Sequence, residues 1–267
     1  MLAGSTTPVN IAVTGDSAPG TDSGVQFSTF EASTSNNARQ VLFRATLAGP
    51  GVTSSNNFGY WIGQPGDVRK VLRAGEEVPG LPGVFWGGGT FLPTMSENGR
   101  AALDMGLVGN GVNASNDRAL VTGAPGDIRI IAREGDQAPG LESGVVHQFM
   151  SSPAISDSGR VAFSSQLSGP GVSDANKSAL WQYTPDDDMV RLLLRSGDVL
   201  EVAPGDLRTI QALGVGSFLP LHMPDQVVFE ATFTDGTRGI FLASVPEPGT
   251  IAAAALLLML RRKRFTF

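Results

Sequence analysis

The chain has 267 residues, a formal net charge of −6, 41% hydrophobic residues, 34 glycines, 17 prolines and no cysteine. So many apolar residues with so small a net charge exclude a disordered chain, and the lack of cysteine excludes disulfides and thiolate chemistry. The acidic balance argues against nucleic-acid binding, which needs clustered lysine and arginine. Abundant glycine and proline with only 16% charged residues predict an all-β chain with many turns.

Residues 1–8 do not make up a complete export signal. The stretch from Met1 to Ser5 lacks both the basic start and the apolar segment of roughly 7–15 residues that a secretory leader needs. We therefore interpret residues 1–8 as a leader remnant or a truncated signal peptide. A short strand is expected next, at residues 9–16, in the phase of the last strand of a repeat.

Residues 9–244 repeat with a period of sixty residues, which indicates a tandem array of modules that share a core. One recurring block, Gly-Asp/Glu-x-x-Pro-Gly, starts at Gly15, Gly75 and Gly135, with a stretched copy at Gly197. A second block, Leu-x-Gly-x-Gly-Val, starts at Leu47, Leu107 and Leu167. The units are expected at about residues 21–80, 81–140, 141–205 and 206–244, plus the strand at 9–16.

Each unit is expected to carry about four short strands, because apolar side chains alternate with a period of two. The clearest run is Val41 to Leu47, and the next short strand carries Trp61 and Trp181, which we expect in the core. The last unit stops after Leu242 without a final strand. The sequence thus predicts four repeats of about 60 residues in a β-propeller-like ring that the N-terminal strand closes, with a stacked β-sandwich as the alternative.

The acids of the first block, Asp16, Glu76, Asp136 and Asp198, occupy equivalent places. One interpretation is a ring of carboxylates that holds Ca²⁺, a cation that takes oxygen ligands. The other is a turn in which each acid caps its own backbone while Pro-Gly completes the bend, and recurrence in every unit favours it. We therefore predict no resident cofactor, with weak Ca²⁺ ligation as the alternative.

Trp86 lies in a glycine-rich stretch, out of phase with the other two tryptophans. An exposed ring would offer a face on which a sugar stacks, whereas a buried ring would anchor a loop. The two histidines, His147 and His222, have no clustered third ligand and are weak evidence for a metal site. No serine-nucleophile elbow or phosphate-binding loop occurs, so we assign no catalytic residue and expect a non-enzymatic protein.

The segment 245–267 has the features of a membrane-targeting signal. It opens with Val245, Pro246, Glu247 and Pro248, whose prolines interrupt strand and helix alike. The run from Ile251 to Leu260 has no polar side chain and predicts a helix of about 15 Å, half of a bilayer core. A basic stop follows, which we expect on the cytoplasmic side: Arg261, Arg262, Lys263 and Arg264.

This tail resembles the PEP-CTERM sorting signal of exported bacterial proteins, with Pro246, Glu247 and Pro248 as the shared motif. The resemblance implies that a membrane protease of the exosortase type cuts near the motif after transient membrane insertion. It also implies release to the cell surface or to the extracellular polysaccharide matrix.

Two segments of the body, Ser96 to Leu103 and Ser156 to Phe163, resemble the NxxGxxAFxAxL tandem-repeat proteins, a bacterial surface group with interchangeable anchors. The first unit, Asn36 to Leu47, keeps the asparagine and the FxAxL end of this pattern but lacks its glycine. The resemblance implies a surface location and no known chemistry.

These patterns favour an exported, non-enzymatic surface or matrix protein that works in adhesion or in association with extracellular polysaccharide. A secreted hydrolase or lyase that acts on polysaccharide from a propeller-like scaffold is one alternative, and it requires a pocket with polar residues that do not repeat. A calcium-dependent binding module is the other.

Overall fold

The structure is a computed structural model, and it describes residues 8–89, 93–151, 153–215 and 226–244. These residues form eighteen β-strands and no helix, which confirms the prediction of an all-β chain. The strands build four antiparallel sheets. The chain divides into two compact units, Met1–Asp136 and Gln137–Phe267, and each unit contains two of the sheets.

The first unit contains the first and second sheets. The first sheet consists, in spatial order, of β1 (Gln26–Ser35), β2 (Val41–Ala48), β3 (Phe58–Gln64) and β4 (Asp67–Arg73). The second sheet consists of β5 (Val84–Gly89), β7 (Ala101–Gly109), β8 (Arg118–Ala124) and β9 (Asp127–Arg133), with the two-residue β6 (Thr94–Met95) paired to β7. Consecutive long strands are neighbours, so both sheets are antiparallel meanders.

The second unit contains the third and fourth sheets. The third sheet consists of β10 (Val146–Met150), β12 (Val161–Ser168), β13 (Ser178–Thr184) and β14 (Met189–Arg195), with β11 (Ala154–Ile155) paired to β12. The fourth sheet consists of β15 (Val199–Ala203), β16 (Asp206–Val215), β17 (Gln226–Phe233) and β18 (Arg238–Ser244).

Strand register relates the four sheets residue by residue. One position on the second long strand is occupied by Leu47, Leu107, Leu167 and Phe233, and its cross-strand partners are Phe27, Trp86, His147 and Ile210. On the other side, the pairs Phe43–Trp61, Leu103–Val121, Phe163–Trp181 and Phe229–Phe241 are equivalent. By this criterion β18 corresponds to β3, β8 and β13, and β16 corresponds to the first strand of the other sheets.

The core of the first unit lies between its two sheets. Leu42, Tyr60 and Ile62 from the first sheet share one buried cluster with Trp86 and Leu103 from the second sheet. The alternation of apolar side chains along β2 and β3 produces this arrangement, because successive residues of a strand point to opposite faces. The two tryptophans expected in the core, Trp61 and Trp181, are both 0% exposed.

The strand predicted at residues 9–16 is wrong. Residues 8–25 form turns and one isolated bridge, between Ser17 and Gln26. Ile11 and Ala12 pack against the core of the first sheet instead, and the Val13 N–H donates to the Asp16 carboxylate at 2.9 Å. Within the described residues, this segment therefore does not close a ring as we predicted.

The fourth sheet begins earlier than the expected unit 206–244. Its strand β15 comes from the stretched copy of the recurring block, where Pro204 and Gly205 form the two-residue turn between β15 and β16. Proline presets the first turn residue, and Gly205 supplies the positive φ of 78° that the second one needs. The stretched block thus forms a hairpin where the other three copies form a loop with one isolated bridge.

The turn between β1 and β2 requires a left-handed backbone conformation at residue 39. The first unit has an arginine there, whereas the second and third units have the glycine of the repeat pattern. Arg39 has a φ of 63°, and the equivalent Gly99 and Gly159 have φ values of 75° and 87°. Glycine adopts this conformation freely, whereas a residue with a Cβ is strained by about 1–2 kcal/mol. The glycine of the NxxG pattern therefore serves a three-residue hairpin turn.

Replacing Arg39 with glycine is expected to raise the free energy of unfolding by about 1 kcal/mol, because the left-handed strain disappears. Urea unfolding measures the change. Gly99→Ala is the matched control and should act in the opposite direction, because a Cβ there would also lie 2.8 Å from Oε1 of Gln40. An R39G protein no more stable than the parent chain would contradict this explanation of the turn.

The predicted hydrophobic helix, the sorting motif and the basic stop all fall in residues 245–267, outside the described residues. In the ranges that are described, no helix has the length and apolar character needed to cross a membrane.

Candidate functional site

The four acids of the recurring block each close a tight turn. In every turn the N–H of the acid donates to the carbonyl three residues earlier, at 3.0–3.3 Å, in the pairs Val13–Asp16, Arg73–Glu76, Arg133–Asp136 and Arg195–Asp198. The glycine before each acid has a φ between 78° and 93°. A type II turn requires a positive φ at this position, which explains why the block contains Gly-Asp/Glu.

Three of these carboxylates also accept a hydrogen bond from the backbone at the start of their own turn. The donors are the N–H groups of Val13 to Asp16 at 2.9 Å, Arg73 to Glu76 at 3.1 Å and Arg195 to Asp198 at 2.8 Å. Glu76 forms an additional ion pair with Lys70. The carboxylates are therefore used to hold the turn, as the turn interpretation expects.

The acids are not brought together around a metal position. Among the residues that the structure describes, no three His, Asp or Glu side chains form a group that could hold a metal ion. Ca²⁺ needs six to eight oxygen ligands. Burial raises the pKa of Asp136, and Arg133 offsets this in part. Calcium ligation by the repeat acids stays a prediction, and His222 lies outside the described residues.

The loop after the second long strand is held by a repeated asparagine side chain. This residue was not identified from the sequence. The residues are Asn56, Asn116 and Asn176. Each side chain accepts from a backbone N–H three residues earlier at 2.7 Å and donates to a carbonyl five residues earlier at 3.0–3.1 Å. The main-chain carbonyl of each asparagine accepts a hydrogen bond from an arginine Nε, of Arg73, Arg133 or Arg195 respectively. The sixty-residue spacing of the asparagines is a signal that could have revealed this arrangement.

Two surface grooves of the first unit share one equivalent pair of wall residues, Pro79 with Ile128 and Pro19 with Val68, and differ in their other lining residues. Their volumes are about 420 Å³ and about 230 Å³. The larger one, which we call the second-sheet groove, runs between Pro79 of the recurring block and Ile128 of β9. The smaller one, the first-sheet groove, runs between Pro19 and Val68 of β4. A repeated groove offers successive sites to an extended, repetitive ligand.

The second-sheet groove combines aliphatic walls with basic side chains. Pro79, Leu81 and Ile130 are among its apolar lining residues, and Arg129 and Arg133 supply the donors. The Arg129 side chain is 36% exposed, and its Nη2 donates to Oδ1 of Asp127 at 2.6 Å. Asp136 also lines the groove, which therefore combines guanidinium and carboxylate groups with apolar side chains.

Of the two interpretations of Trp86, the exposed sugar-stacking ring is wrong and the buried ring is correct. Trp86 lies in β5 and is only 3% exposed, inside the cluster between the first and second sheets. Register makes it equivalent to Phe27, with both opposite a leucine of the next strand. Its ring is a core element, so it offers no face to a ligand.

His147 occupies the same repeat position in the third sheet and forms a buried polar cluster there. It is 2% exposed, its Nδ1 lies 3.0 Å from Oγ of Ser165, and its ring meets that of Trp181 edge-on at 4.9 Å. The Trp181 indole N–H donates to the same Ser165 oxygen at 2.8 Å. Burial lowers the pKa of His147 to about 4, so the ring is neutral at pH 7.

A partly buried ionic network in the first unit was not predicted from the sequence. Arg118 pairs with Asp104 at 2.5 Å, and Arg44 pairs with Glu31 and lies 4.3 Å from the centroid of the Phe58 ring. Burial raises the pKa of Tyr60 to about 12, and the nearby Arg44 opposes this increase.

Glu134 belongs to the same network. It is 5% exposed, and burial together with the charges of Asp117 and Asp104 raises its pKa to about 6, against the effect of Arg118. Burial also raises the pKa of Asp104. The network therefore contains two carboxyl groups with raised pKa values, and perturbed carboxyls of this kind occur both in active sites and in structural ion pairs.

A family model matches most of the chain. The model of a family of unknown function (DUF7453) matches residues 1–252, nearly the whole chain. No curated protein matches the sequence.

Proposed function

We propose that the chain, which belongs to the DUF7453 family, is an exported surface or matrix protein whose tail is a PEP-CTERM-type sorting signal. An exosortase-type membrane protease cuts the tail after transient membrane insertion. The body then associates with extracellular polysaccharide without catalysing a reaction.

One observation carries this proposal: the order of three elements in residues 245–264. A Pro-Glu-Pro motif, a run of ten residues without polar side chains and four consecutive cations follow one another. The apolar run covers only about half of a bilayer core, which suits a signal that is inserted briefly and then removed. The cations fix its orientation with the basic end on the cytoplasmic side.

Tail substitutions in a host that carries an exosortase-type protease test the sorting step. Expressed behind a complete secretory leader, the parent chain should appear outside the cell without its basic end. Replacing both Pro246 and Pro248 with alanine should retain the protein in the membrane fraction, because the cleavage motif is lost. Cell fractionation with antibodies to the body measures the distribution.

The Arg261→Lys chain is the matched control for these tail variants. It keeps the charge of the basic stop and should be released like the parent chain. Equal release of the double proline variant would refute a role for the motif.

The body is proposed to bind polysaccharide through its repeated grooves. Each sheet of the first unit places a proline of the recurring block beside its last strand, so an extended glycan meets similar surfaces at successive positions. A propeller-like arrangement of the four sheets is part of this proposal, since each sheet has the four-strand meander of a propeller blade.

Replacing Arg129 with alanine is expected to weaken retention of the protein on host matrix polysaccharide by about three- to tenfold, because groove donors are lost. Affinity electrophoresis in polysaccharide gels measures it. Arg69→Ala is the matched control: Arg69 pairs with Asp67 as Arg129 pairs with Asp127, but it does not line the first-sheet groove. Equal losses for both variants would remove the groove from the proposal.

A polysaccharide hydrolase is the second candidate function, because the ionic network places two carboxyl groups with raised pKa values, Asp104 and Glu134, near one another. Glycosidases use two carboxyl groups whose environments separate their pKa values. Turnover of a glycan substrate that disappears in both Asp104→Asn and Glu134→Gln would establish this alternative. A calcium-dependent module is tested by calorimetry with and without chelator.

A further inference from the structure

The fourth sheet ends in an uncovered strand. In the first three sheets, the strand equivalent to β18 has a further antiparallel neighbour: β4 beside β3, β9 beside β8 and β14 beside β13. Within the described ranges, β18 pairs with β17 alone. The extra strand β15 does not fill this place, because it lies beside β16 at the opposite edge.

Two large apolar side chains of β18 are exposed to solvent. Ile240 is 81% exposed and Leu242 is 42% exposed. The equivalent residues of the other three sheets are at most 4% exposed, namely Tyr60, Leu120 and Leu180 for Ile240, and Ile62, Thr122 and Gln182 for Leu242. Two aliphatic side chains are thus in water at positions that every other repeat buries.

The β18 edge also lacks the features that normally prevent strand association. The last strands β4, β9 and β14 each carry a register shift against their neighbour and at least one arginine within the strand. By contrast, β18 pairs with β17 over seven residues without a shift, and its one charged residue, Arg238, comes first. Bulges and charges protect edges, so β18 is open to pairing with another strand.

Residues 9–13 have the properties of the strand that the fourth sheet lacks. They precede Gly15 and Asp16 as the end of β4 precedes Gly75 and Glu76. The following turn is also the same, since the Gly15 N–H donates to a carbonyl of β1 at 2.8 Å and the Gly75 N–H to a carbonyl of β5 at 2.7 Å. Yet residues 9–13 pair with no strand in the described ranges. Val9 and Val13 are 68% and 48% exposed, while Ile11 and Ala12 pack against the core of their own first sheet.

We propose that residues 9–13 of a second copy of the chain add to β18 as an antiparallel strand. Aligning the recurring blocks sets the register. The partner's Ala12 lies opposite Ile240 and the partner's Val9 opposite Leu242, as Leu72 lies opposite Tyr60 and Arg69 opposite Ile62 in the first sheet. Main-chain hydrogen bonds give such strand addition its affinity, and alternate side chains give it specificity.

Every copy of the chain carries both halves of this junction, so a second copy can supply the strand. Residues 9–13 are uncharged and, apart from Asn10, apolar, which matches the aliphatic face of β18. Each copy has one donor segment and one acceptor edge, so the contact is heterologous and continues head to tail into a ring or filament. Such an assembly suits a protein of an extracellular matrix.

Blocking one half at a time tests the proposal on the full chain. Ile240→Lys places a charge on the acceptor edge, and Asn10→Pro removes a backbone donor from the exposed segment. Each variant alone should sediment as a monomer in analytical ultracentrifugation, with a dissociation constant raised at least about tenfold. An equimolar mixture should form a dimer, because one intact donor then meets one intact acceptor.

Matched controls separate this junction from other modes of association. Val199→Lys alters an exposed residue on β15 of the same sheet, and Asn10→Ala keeps the backbone donor, so both should assemble like the parent chain. Dimers of N10P alone would indicate symmetric β18 pairing, and equal association of all variants would indicate the apolar tail. Either result, or a monomeric parent chain, would overturn the proposal.

A disulfide tests the register, since the chain has no cysteine of its own. Val9→Cys and Leu242→Cys in one chain should yield covalent dimers and higher multimers on mild oxidation, because opposite residues of an antiparallel pair are about 4.5–5.5 Å apart. A crosslink inside single chains would show that the strand closes its own molecule and would overturn the assignment to a second copy.

Discussion

Replacing Trp86 with alanine is expected to lower the free energy of unfolding of the first unit by about 3–5 kcal/mol, the cost of emptying a large buried site. The ring is 3% exposed and packs between two sheets. Urea unfolding followed by circular dichroism measures the loss. The adjacent Phe85 is the matched control, because it is 38% exposed and its removal should cost about 1 kcal/mol or less.

Trp86→Phe separates the core role from ligand stacking. It keeps an aromatic ring in the cluster and should leave polysaccharide retention unchanged. Loss of retention in a folded W86F protein would show that the ring contacts a ligand. A W86A protein as stable as the parent chain would contradict the core role of Trp86.

The second unit is expected to lose about 2–3 kcal/mol of stability through His147 alone between pH 7 and pH 4.5. The pKa of the buried ring is about 4, against 6.5 for an ordinary histidine. The unfolded chain therefore binds a proton in this window that the folded chain excludes. The stabilisation is complete above pH 6.5 and disappears as the pH falls towards 4.

His147→Phe is the variant that isolates this effect, because the first sheet carries Phe27 at the equivalent position. The difference in unfolding free energy between the parent chain and H147F should shrink or reverse in favour of the variant as the pH falls. Carboxylates titrate in both proteins and cancel in the difference. A difference independent of pH would mean that the pKa of His147 is the same in the folded and unfolded chain.

The fold class was accessible from the sequence because the responsible signals are local. Alternation along Val41 to Leu47 requires only neighbouring residues, and the recurring turns require only Gly, Pro and an acid in fixed order. Trp61 and Trp181 recur at twice the sixty-residue spacing and are buried as expected.

Trp86 escaped the same reasoning because it comes one residue early in the repeat. Phe27, Trp86 and His147 are equivalent by register, yet Trp86 is 59 residues from Phe27 and 61 from His147. A register shift lies beside this position in β1, β5 and β10 alike, so the offset is not peculiar to one strand. Exact periodicity therefore made a buried tryptophan look like an isolated loop residue.

The ionic network could not have been found from spacing. The equivalent positions on the second long strands hold Arg44, Asp104, Ser164 and Glu230, which differ in charge from sheet to sheet. Arg44 and Asp104 both act on Tyr60, which requires knowing that the first and second sheets pack face to face. The strand predicted at residues 9–16 was wrong for a related reason. A strand needs a neighbouring strand, and the local sequence does not show whether one is present.

The intact mass of the protein recovered from the surface or matrix of its own host tests the sorting account most directly. The account predicts a product that ends near Glu247 and lacks the apolar run and all four terminal cations. A cytosolic protein that retains Phe267 would contradict it.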